Sequence, residues 1–366
     1  GWYEGRDYEY IRRFTPDKSL RNKTLMLEFE GVYHLAEVYL NGEKIAERPY
    51  GYTNFYADLT DRVRFDEENE LRVIARNSDQ PNSRWYSGAG IYRDVTLHVL
   101  PKRHIPLDGV YVTTTHELES WTMTIDTELC GVKDNGVLTH VLLDGDVPVC
   151  DVTVEAAGDH ANAVMQVLSP KLWSPDAPNV YTLQTMLGNQ VIRQNVGFRD
   201  LTFTTDCGLL VNGAPVKLHG VCLHHDLGCL GSAFHEKAMR RQLRAMRQMG
   251  INALRTSHNP PAKQVMDLCD ELGIFVVDEA FDMWLRAKTP FDYARFFPTD
   301  MPSDVAAWVR RDRNHPSVVM YSLFNEEPMQ GTKEGGNIFR RMKSAVLRLD
   351  DTRLITGAMN GGQNNA

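Results

Sequence analysis

The chain has 366 residues, enough for two or three domains, and its 42% hydrophobic and 24% charged residues are ordinary for a globular protein. The net charge of -8 argues against a nucleic-acid-binding protein, and no stretch approaches the roughly 18 apolar residues of a membrane span. Six cysteines without a CxxC pair are too sparse for a disulfide framework. The chain starts at Gly1 without a methionine or a signal peptide, so we interpret it as truncated at its N-terminus. We expect a cytoplasmic protein, which an upstream export signal would overturn.

Residues 1–100 predict an all-β domain. Asn41-Gly42 in AEVYLNGEKIAE is typical of a type I′ hairpin turn. The segment ENELRVIARNS alternates apolar with polar residues, as a half-buried strand does. Because no segment here repeats apolar residues at helical spacing, we predict a β-sandwich.

Residues 101–199 predict a second β-sandwich. Strand-like segments recur about every ten residues, and Asp144-Gly145 predicts another hairpin. The length of this region suits one immunoglobulin-like domain.

Residues 200–366 change character, because apolar strands alternate with amphipathic helices. The predicted strands are VKLHGVCL, NALRTS, IFVVDEA, VVMYSLFN and RLITGAMN, and the predicted helices between them are HEKAMRRQLRAMRQMG, AKQVMDLCDELG, SDVAAWVRRDRN and NIFRRMKSAVLRLD. This order favours a parallel sheet, in either a barrel or a doubly wound fold. No GxGxxG or Walker-type loop follows a strand, which argues against nucleotide binding.

Polar residues follow all five predicted strands, at the edge where such folds bind ligands. They are His224-His225-Asp226, Arg255 to Asn259, Asp278-Glu279, Asn325-Glu326-Glu327 and Met359-Asn360. Polar groups at every end of otherwise apolar strands indicate a site for a polar, hydroxyl-rich ligand.

Several of these residues have a structural alternative. His224 and His225 could bind a metal, but adjacent strand residues point to opposite faces, so one must face away. Arg255 could simply neutralise nearby carboxylates, and Asp278 could be a structural acceptor instead of a ligand for substrate. Trp284 could belong to the core, although its place just after a strand end suits stacking on a sugar face.

Paired carboxylates at the ligand-binding ends of such strands suit hydrolysis of a glycosidic bond. A retaining glycosidase uses two carboxyl groups about 5–5.5 Å apart, one as nucleophile and one as acid/base. The acid/base must be partly desolvated to hold a proton near neutral pH. Glu326, at the end of an apolar strand, fits this role, whereas Glu327 alternates to the other side and suits an ion pair or a loop.

Three segments carry a resemblance to a known family: SRWYSGAGIYRDV (83–95), NALRTSHNP (252–260) and DRNHPSVVMYSLFNE (312–326). With them the chain resembles glycoside hydrolase family 2, most closely its bacterial β-galactosidases, over essentially its whole length. The resemblance implies a jelly-roll sugar-binding domain, an immunoglobulin-like sandwich and a (β/α)8 TIM barrel, in that order. It also implies retaining hydrolysis of a β-glycoside.

The resemblance also implies roles for individual residues. Glu326 would be the acid/base, and Asn325 would hydrogen-bond the sugar 2-hydroxyl. Arg255 would support the nucleophile, and His224 and His258 match positions that contact galactose hydroxyls. With Asp278 and Trp284, these residues form the predicted substrate-binding set.

The magnesium and sodium sites of some family members find no support in this sequence. A Glu-x-His pair for magnesium would fall on Met283 and Leu285, and the first-domain aspartate for sodium is absent around Ser83 and Arg84. We therefore expect no cofactor.

Other departures concern the barrel. Tyr321 replaces the usual Trp of the third segment, and Phe324 stands where Gly is common. The resemblance places the nucleophilic glutamate at the end of a seventh strand, whereas about five strands are present. We therefore interpret the chain as a fragment truncated at both ends, with its nucleophile elsewhere.

The sequence leaves three hypotheses. The first is a β-galactosidase acting on β-galactoside oligosaccharides. The second is another family 2 β-glycosidase, such as a β-glucuronidase or a mannose-specific enzyme. The third is a non-catalytic carbohydrate-binding or scaffold protein. We expect no nucleic-acid or membrane partner, and homo-oligomerisation stays open.

Overall fold

A computed structural model describes residues 5–360 of the chain. These residues form 24 β-strands, four α-helices and three short 3-10 helices (Lys18–Leu20, Gly228–Leu230 and Tyr293–Arg295). No helix in this range is both long and apolar enough to span a membrane.

The first part of the chain is a sandwich of two antiparallel sheets. Its strands are β1 (Asp7–Phe14), β2 (Lys23–Phe29), β3 (Val32–Tyr33), β4 (Ala36–Leu40), β5 (Glu43–Arg48), β6 (Phe55–Asp58), β7 (Asn69–Arg76), β8 (Gly90–Ile91) and β9 (Val95–Pro101). The two sheets have the orders β1-β7-β4-β5 and β6-β2-β9, and the short strands β3 and β8 pair with each other outside them. The predicted hairpin is confirmed, since Asn41 and Gly42 both have positive φ (51° and 88°) between β4 and β5.

The second part is also all-β, but two of its strands are longer than predicted. The strands are β10 (Val110–Glu117), β11 (Ser120–Asp144), β12 (Val147–Leu168), β13 (Trp173–Ser174), β14 (Ala177–Pro178), β15 (Tyr181–Leu187) and β16 (Gln190–Val196). The first half of β11 pairs with β10 and its last residues with β15. Register shifts around Val132 separate the two halves. Such irregularities bend a strand, so the single bent strand β11 pairs with both neighbours where the sequence predicts two separate strands.

The third part begins with a small sheet and continues as parallel βα units. Its elements are β17 (Leu201–Thr204), β18 (Gly208–Val211), β19 (Ala214–Pro215), β20 (Gly220–Leu223), α1 (Glu236–Gln248), β21 (Ala253–Thr256), α2 (Lys263–Leu272), β22 (Phe275–Glu279), α3 (Phe297–Asp312), β23 (Val318–Asn325), α4 (Lys333–Leu347) and β24 (Leu354–Ala358). The parallel strands lie in the sequential order β20-β21-β22-β23-β24. This order is that of a barrel, because a doubly wound sheet reverses direction at a switch point.

The last two helices begin earlier than predicted. Helix α3 starts at Phe297 instead of 303, with Pro298 in its first turn, where proline costs no hydrogen bond. Helix α4 starts at Lys333 instead of 337, and its N-cap Thr332 accepts the Gly335 amide at 3.0 Å. Proline and glycine near these starts made the sequence look like a loop.

Both departures from the family pattern in β23 are accommodated by packing. Phe324 fits because Gly357 lies opposite it on β24: a Cβ at Gly357 would lie 2.2 Å from the phenyl ring. The Tyr321 hydroxyl donates to Asp350 at 2.8 Å while its ring packs edge-on against Trp308.

Buried polar contacts join the two sandwiches to the barrel. Arg93 donates to the carbonyl oxygens of Tyr52 in the first sandwich and Pro260 in the barrel, each at 2.9 Å. Asn314 bonds the backbone of Val110 and Val112 in the second sandwich. These contacts place the first sandwich beside the C-terminal ends of the barrel strands, which we call the mouth.

Candidate active site

Glu326 lies at the mouth, immediately after β23. It adopts a left-handed backbone conformation with φ of 44°, and its amide donates to the carbonyl of Ala358 at 2.6 Å. A glutamate in this region is strained, and such residues concentrate at functional sites. Its side chain is 46% exposed, with Arg84 Nη1 3.8 Å from Oε2. About half of the Glu326 side chain is therefore shielded from solvent, and the rest is open to the mouth.

Glu327 is the desolvated glutamate of the pair. Its side chain is fully buried, and its Oε2 accepts the Trp284 amide at 2.8 Å. Burial raises the pKa of Glu327 to about 7, although the Trp284 amide and the charge on Lys288 act in the opposite direction. The two glutamates thus point to different surroundings, and only Glu326 can reach a ligand in the mouth.

Asn325 is clamped beside Glu326. Its Oδ1 accepts from Arg255 at 2.8 Å, and its Nδ2 donates to Asp282 at 2.8 Å. The main chain is held as well, because its carbonyl accepts from Lys288 Nζ at 2.5 Å.

A buried carboxylate organises the centre of the mouth. Glu279 is fully buried and accepts two hydrogen bonds from Arg255, at 2.9 and 2.8 Å, and one from Ser322 at 2.6 Å. His258 Nδ1 lies 2.7 Å from the same carboxylate. Arg255 and His258 are therefore brought together as predicted. The sequence predicted their shared partner Glu279 only as a strand-end residue. The signal that could have placed Glu279 on the inner face of the sheet was Ser322, a small polar residue in the otherwise apolar neighbouring strand, because its hydroxyl donates to Glu279.

Asp282 forms a second charged centre that sequence reasoning did not assign. It accepts from both Arg84 (2.9 and 2.6 Å) and Lys288 (2.9 Å), besides Asn325. Burial alone would raise the pKa of Asp282, but the hydrogen bonds from Arg84 and Asn325 and the charge on Lys288 lower it below its ordinary value. Asp282 lies just beyond the end of the predicted strand IFVVDEA, and Arg84 lies within the family-like segment 83–95, but neither position indicates that the two side chains meet.

Aromatic rings from the first sandwich cover one side of the mouth. Trp85 packs against His224 and His258, with ring centroids 5.3 and 5.5 Å apart, and the two histidines are 5.3 Å from each other. Burial, reinforced by neighbouring His258, lowers the pKa of His224. A neutral imidazole beside an indole suits contact with sugar hydroxyls.

A cleft of about 840 Å³ continues outward from Trp85 and Arg84. Its wall includes Tyr8 and Tyr86, which are 40% and 42% exposed. The cleft provides space beside the mouth for a larger ligand.

His225 turns away from the mouth, as the alternation of strand residues predicts. Its ring packs against Tyr52 and Tyr92, and its Nε2 lies 3.1 Å from the Ser87 carbonyl. Burial lowers the pKa of His225 to about 4. With His224 and His225 on different sides, they do not form a common metal site.

Two predicted substrate ligands are corrected by the structure. Asp278 is fully buried on the helix side of β22, where its carboxyl accepts from Trp308 at 2.6 Å. Burial and neighbouring Asp312 raise the pKa of Asp278 well above its ordinary value. Trp284 is only 1% exposed and packs edge-on against Phe324, with the ring centroids 4.9 Å apart. Asp278 is thus a structural acceptor and Trp284 a core residue; the aromatic ring at the mouth is Trp85 instead.

One cluster in residues 5–360 combines three possible metal ligands within 4.8 Å: Asp267, Asp270 and His315. It lies away from the mouth, and two of its members, Asp270 and His315, already bond each other. His315 Nδ1 lies 2.6 Å from Asp270, whose other oxygen accepts the Ser317 amide at 2.9 Å. The donor set therefore fits an ion pair better than a metal site.

This ion pair should make stability depend on pH. Burial alone would lower the pKa of His315, but the charge and hydrogen bond of Asp270 raise it to about 9. Because this folded-state pKa exceeds the ordinary value near 6.5, the stabilisation is complete below about pH 6.5 and is lost as pH rises through about 9. We expect the free energy of unfolding to fall by on the order of 1–3 kcal/mol across that window.

Chemical denaturation at several pH values measures this slope. The variant His315→Gln should flatten it, while His160→Gln, which removes an exposed histidine 3.3 Å from Asp126, should leave it unchanged. An unchanged slope in His315→Gln would contradict the assignment.

Two β-sandwiches followed by sequential parallel βα units, with acidic groups at the strand ends, define a class of multidomain proteins with a barrel domain. Family comparisons agree with this class. A galactose-binding domain-like model of glycosyl hydrolase 2 matches residues 1–92, a glycosyl hydrolases family 2 model matches 104–199, and the TIM barrel domain model of the same family matches 204–365. The chain belongs to glycosyl hydrolase family 2, so the predicted family and fold class are confirmed.

Individual relatives point the same way. The β-galactosidase BoGH2A of Bacteroides ovatus is 40% identical over 97% of this chain and 42% of the relative. A putative β-glucuronidase of Formosa agariphila is 34% identical over 97% of this chain and 34% of its own length. A solved glycosyl hydrolase family 2 member from Bacteroides cellulosilyticus superposes with a TM-score of 0.92 at 34% identity, covering 97% of this chain and 48% of that one. The chain thus spans less than half the length of these relatives.

Proposed function

We propose that the protein containing this chain is a retaining β-galactosidase, and that Glu326 is its acid/base. The observation that carries the proposal is the end of β23. There the strained backbone directs Glu326 into the mouth, next to an Asn325 amide fixed by Arg255 and Asp282.

In the first step Glu326 donates its proton to the glycosidic oxygen while a second carboxylate attacks the anomeric carbon. In the second step Glu326, now ionised, takes a proton from the water that releases the sugar. Asn325 donates to the 2-hydroxyl, and His224 and His258 bind other hydroxyls. We assign no role as nucleophile to Glu279 because its oxygens are engaged by Arg255, and the family resemblance places the nucleophile on a later strand.

The charges of the mouth favour a neutral sugar. Among the described residues of the mouth, Arg255 pairs with Glu279, and both Arg84 and Lys288 pair with Asp282. A glucuronide would bring a carboxylate that needs a cation of its own. A β-glucuronidase is the second candidate, supported by the 34% identity to a relative of that name.

Hydrolysis of nitrophenyl β-galactoside and nitrophenyl β-glucuronide by the protein decides between the two. We expect a higher kcat/KM with the galactoside. A preference for the glucuronide would favour the second candidate, and no hydrolysis of any β-glycoside would favour a non-catalytic carbohydrate-binding protein.

A further inference from the structure

The side-chain amide of Asn325 is oriented by charged groups at both of its ends. An amide oxygen and an amide nitrogen have nearly the same shape, so their partners decide which way the group points. Here the oxygen faces the Arg255 cation and the nitrogen faces the Asp282 carboxylate, both at 2.8 Å. The reverse orientation would set an N–H against a cation and a carbonyl against an anion. A single orientation is therefore strongly favoured.

The orientation depends on Asp282 being ionised and held in place. Its side chain is fully buried, which would be costly for a charge without partners. Arg84 supplies the most directional of these partners, because its Nε and Nη2 each contact a different oxygen of Asp282, at 2.9 and 2.6 Å. Lys288 adds a point charge to one of the same oxygens.

Arg84 reaches this position from another domain. It is 198 residues from Asp282 in sequence and belongs to the loop 77–89 of the first sandwich. The loop is packed closely on the barrel: a Cβ at Gly88, whose φ is +73°, would lie 1.8 Å from Ser232 Oγ. The position of Arg84 is thereby tied to the barrel itself.

We propose that Arg84 is a positioning residue for the glycosidase reaction, acting through Asp282 to orient the Asn325 amide toward the sugar 2-hydroxyl. The proposal rests on the proposed function. In this role the first sandwich contributes to the reaction through Arg84, although Arg84 does not contact the glycosidic bond.

The experiment compares nitrophenyl β-galactoside with its 2-deoxy analogue. If Arg84 acts through Asn325 on the 2-hydroxyl, Arg84→Gln should lower kcat/KM for the parent substrate roughly tenfold or more, mainly in kcat. For the 2-deoxy substrate the same variant should change kcat/KM less than about twofold, because the contact it supports is missing. Asn325→Ala should show the same dependence on the substrate.

Two further variants keep the test decisive. Arg84→Lys retains the cation but not the two-point contact, so it covers the case in which Arg84→Gln does not fold; we expect a smaller loss, again confined to the parent substrate. Arg295→Gln is the matched control, because Arg295 also joins the barrel to the first sandwich, through Asp79 at 3.1 Å, but does not contact Asp282. It should affect neither substrate.

Equal losses on both substrates would overturn the positioning role, because Arg84 would then act through Glu326, whose Oε2 lies 3.8 Å from Arg84 Nη1, and they would leave the proposed function intact. If the unchanged protein hydrolyses neither β-galactosides nor β-glucuronides, the proposed function fails, and the role of Arg84 fails with it.

Discussion

Replacing Glu326 with glutamine is expected to lower kcat for unactivated β-galactosides by roughly 10²- to 10⁴-fold. Glutamine has the size of glutamate and keeps an oxygen near Arg84, but it cannot donate a proton to the glycosidic oxygen. The loss in the first step should shrink for nitrophenyl glycosides, whose leaving group departs without protonation. Steady-state kinetics with lactose and with nitrophenyl galactoside measures this difference.

Azide adds an independent readout for Glu326. It attacks the glycosyl-enzyme without help from a base, so it should restore turnover of nitrophenyl galactoside in Glu326→Gln and release the β-glycosyl azide. Loss of an unrelated structural contact would not be rescued in this way.

Glu327→Gln is the matched control for this experiment. Glu327 is buried, and its pKa is raised to about 7, so a neutral side chain of the same shape suits its surroundings. Glutamine can still accept the Trp284 amide through its oxygen. We expect a far smaller loss of activity than for Glu326→Gln. Equal losses in the two variants would contradict the assignment of Glu326.

The sequence was sufficient to predict the domain order and the strands that form the mouth. Turn residues such as Asn41-Gly42 and the continuous apolar strands act locally, so their effect can be read from a few neighbouring residues. The polar residues after each strand could be placed at one edge because parallel strands share that edge. Glu326, Asn325, Arg255, His224 and His258 all lie there.

What the sequence could not show was the direction of each side chain at the strand ends. Asp278 and Glu279 are adjacent acids, and only packing against Trp308 on one side and Arg255 on the other decides which of them faces the mouth. In β23 the pairing with β24 shifts register between Ser322 and Asn325. Side chains therefore do not alternate strictly between the two faces of the sheet just before Glu326.

Contacts between domains could not be predicted from local sequence patterns either. Arg84 and Trp85 belong to a segment whose resemblance to the family was noted, yet their partners lie in the barrel. Similarly, Trp284 follows a strand end as a sugar-stacking residue would, but Phe324 and the chain around it enclose the ring completely. Burial at such positions depends on residues distant in sequence.

The substitution Arg255→Met is expected to destabilise the protein by about 3–5 kcal/mol. Methionine fills much of the same volume but leaves the buried carboxylate of Glu279 without its main cation. His258 and Ser322 remain as hydrogen-bond partners, and neither matches the two contacts of the guanidinium. Denaturant titration of the variant and the unchanged protein gives the difference directly.

The double variant Arg255→Met, Glu279→Gln separates stability from function. Removing the charge of Glu279 together with that of Arg255 abolishes the uncompensated anion, while glutamine keeps an acceptor for His258 or Ser322. Stability should therefore recover to within about 1–2 kcal/mol of the original, because replacing a whole buried ion pair costs far less than breaking it. Activity should not recover, since the amide oxygen of Asn325 still lacks the Arg255 donor that fixes it. If the double variant regained both stability and activity, the Arg255–Glu279 ion pair would be a purely structural element. The residues at the end of β23 would then be sufficient for catalysis without it.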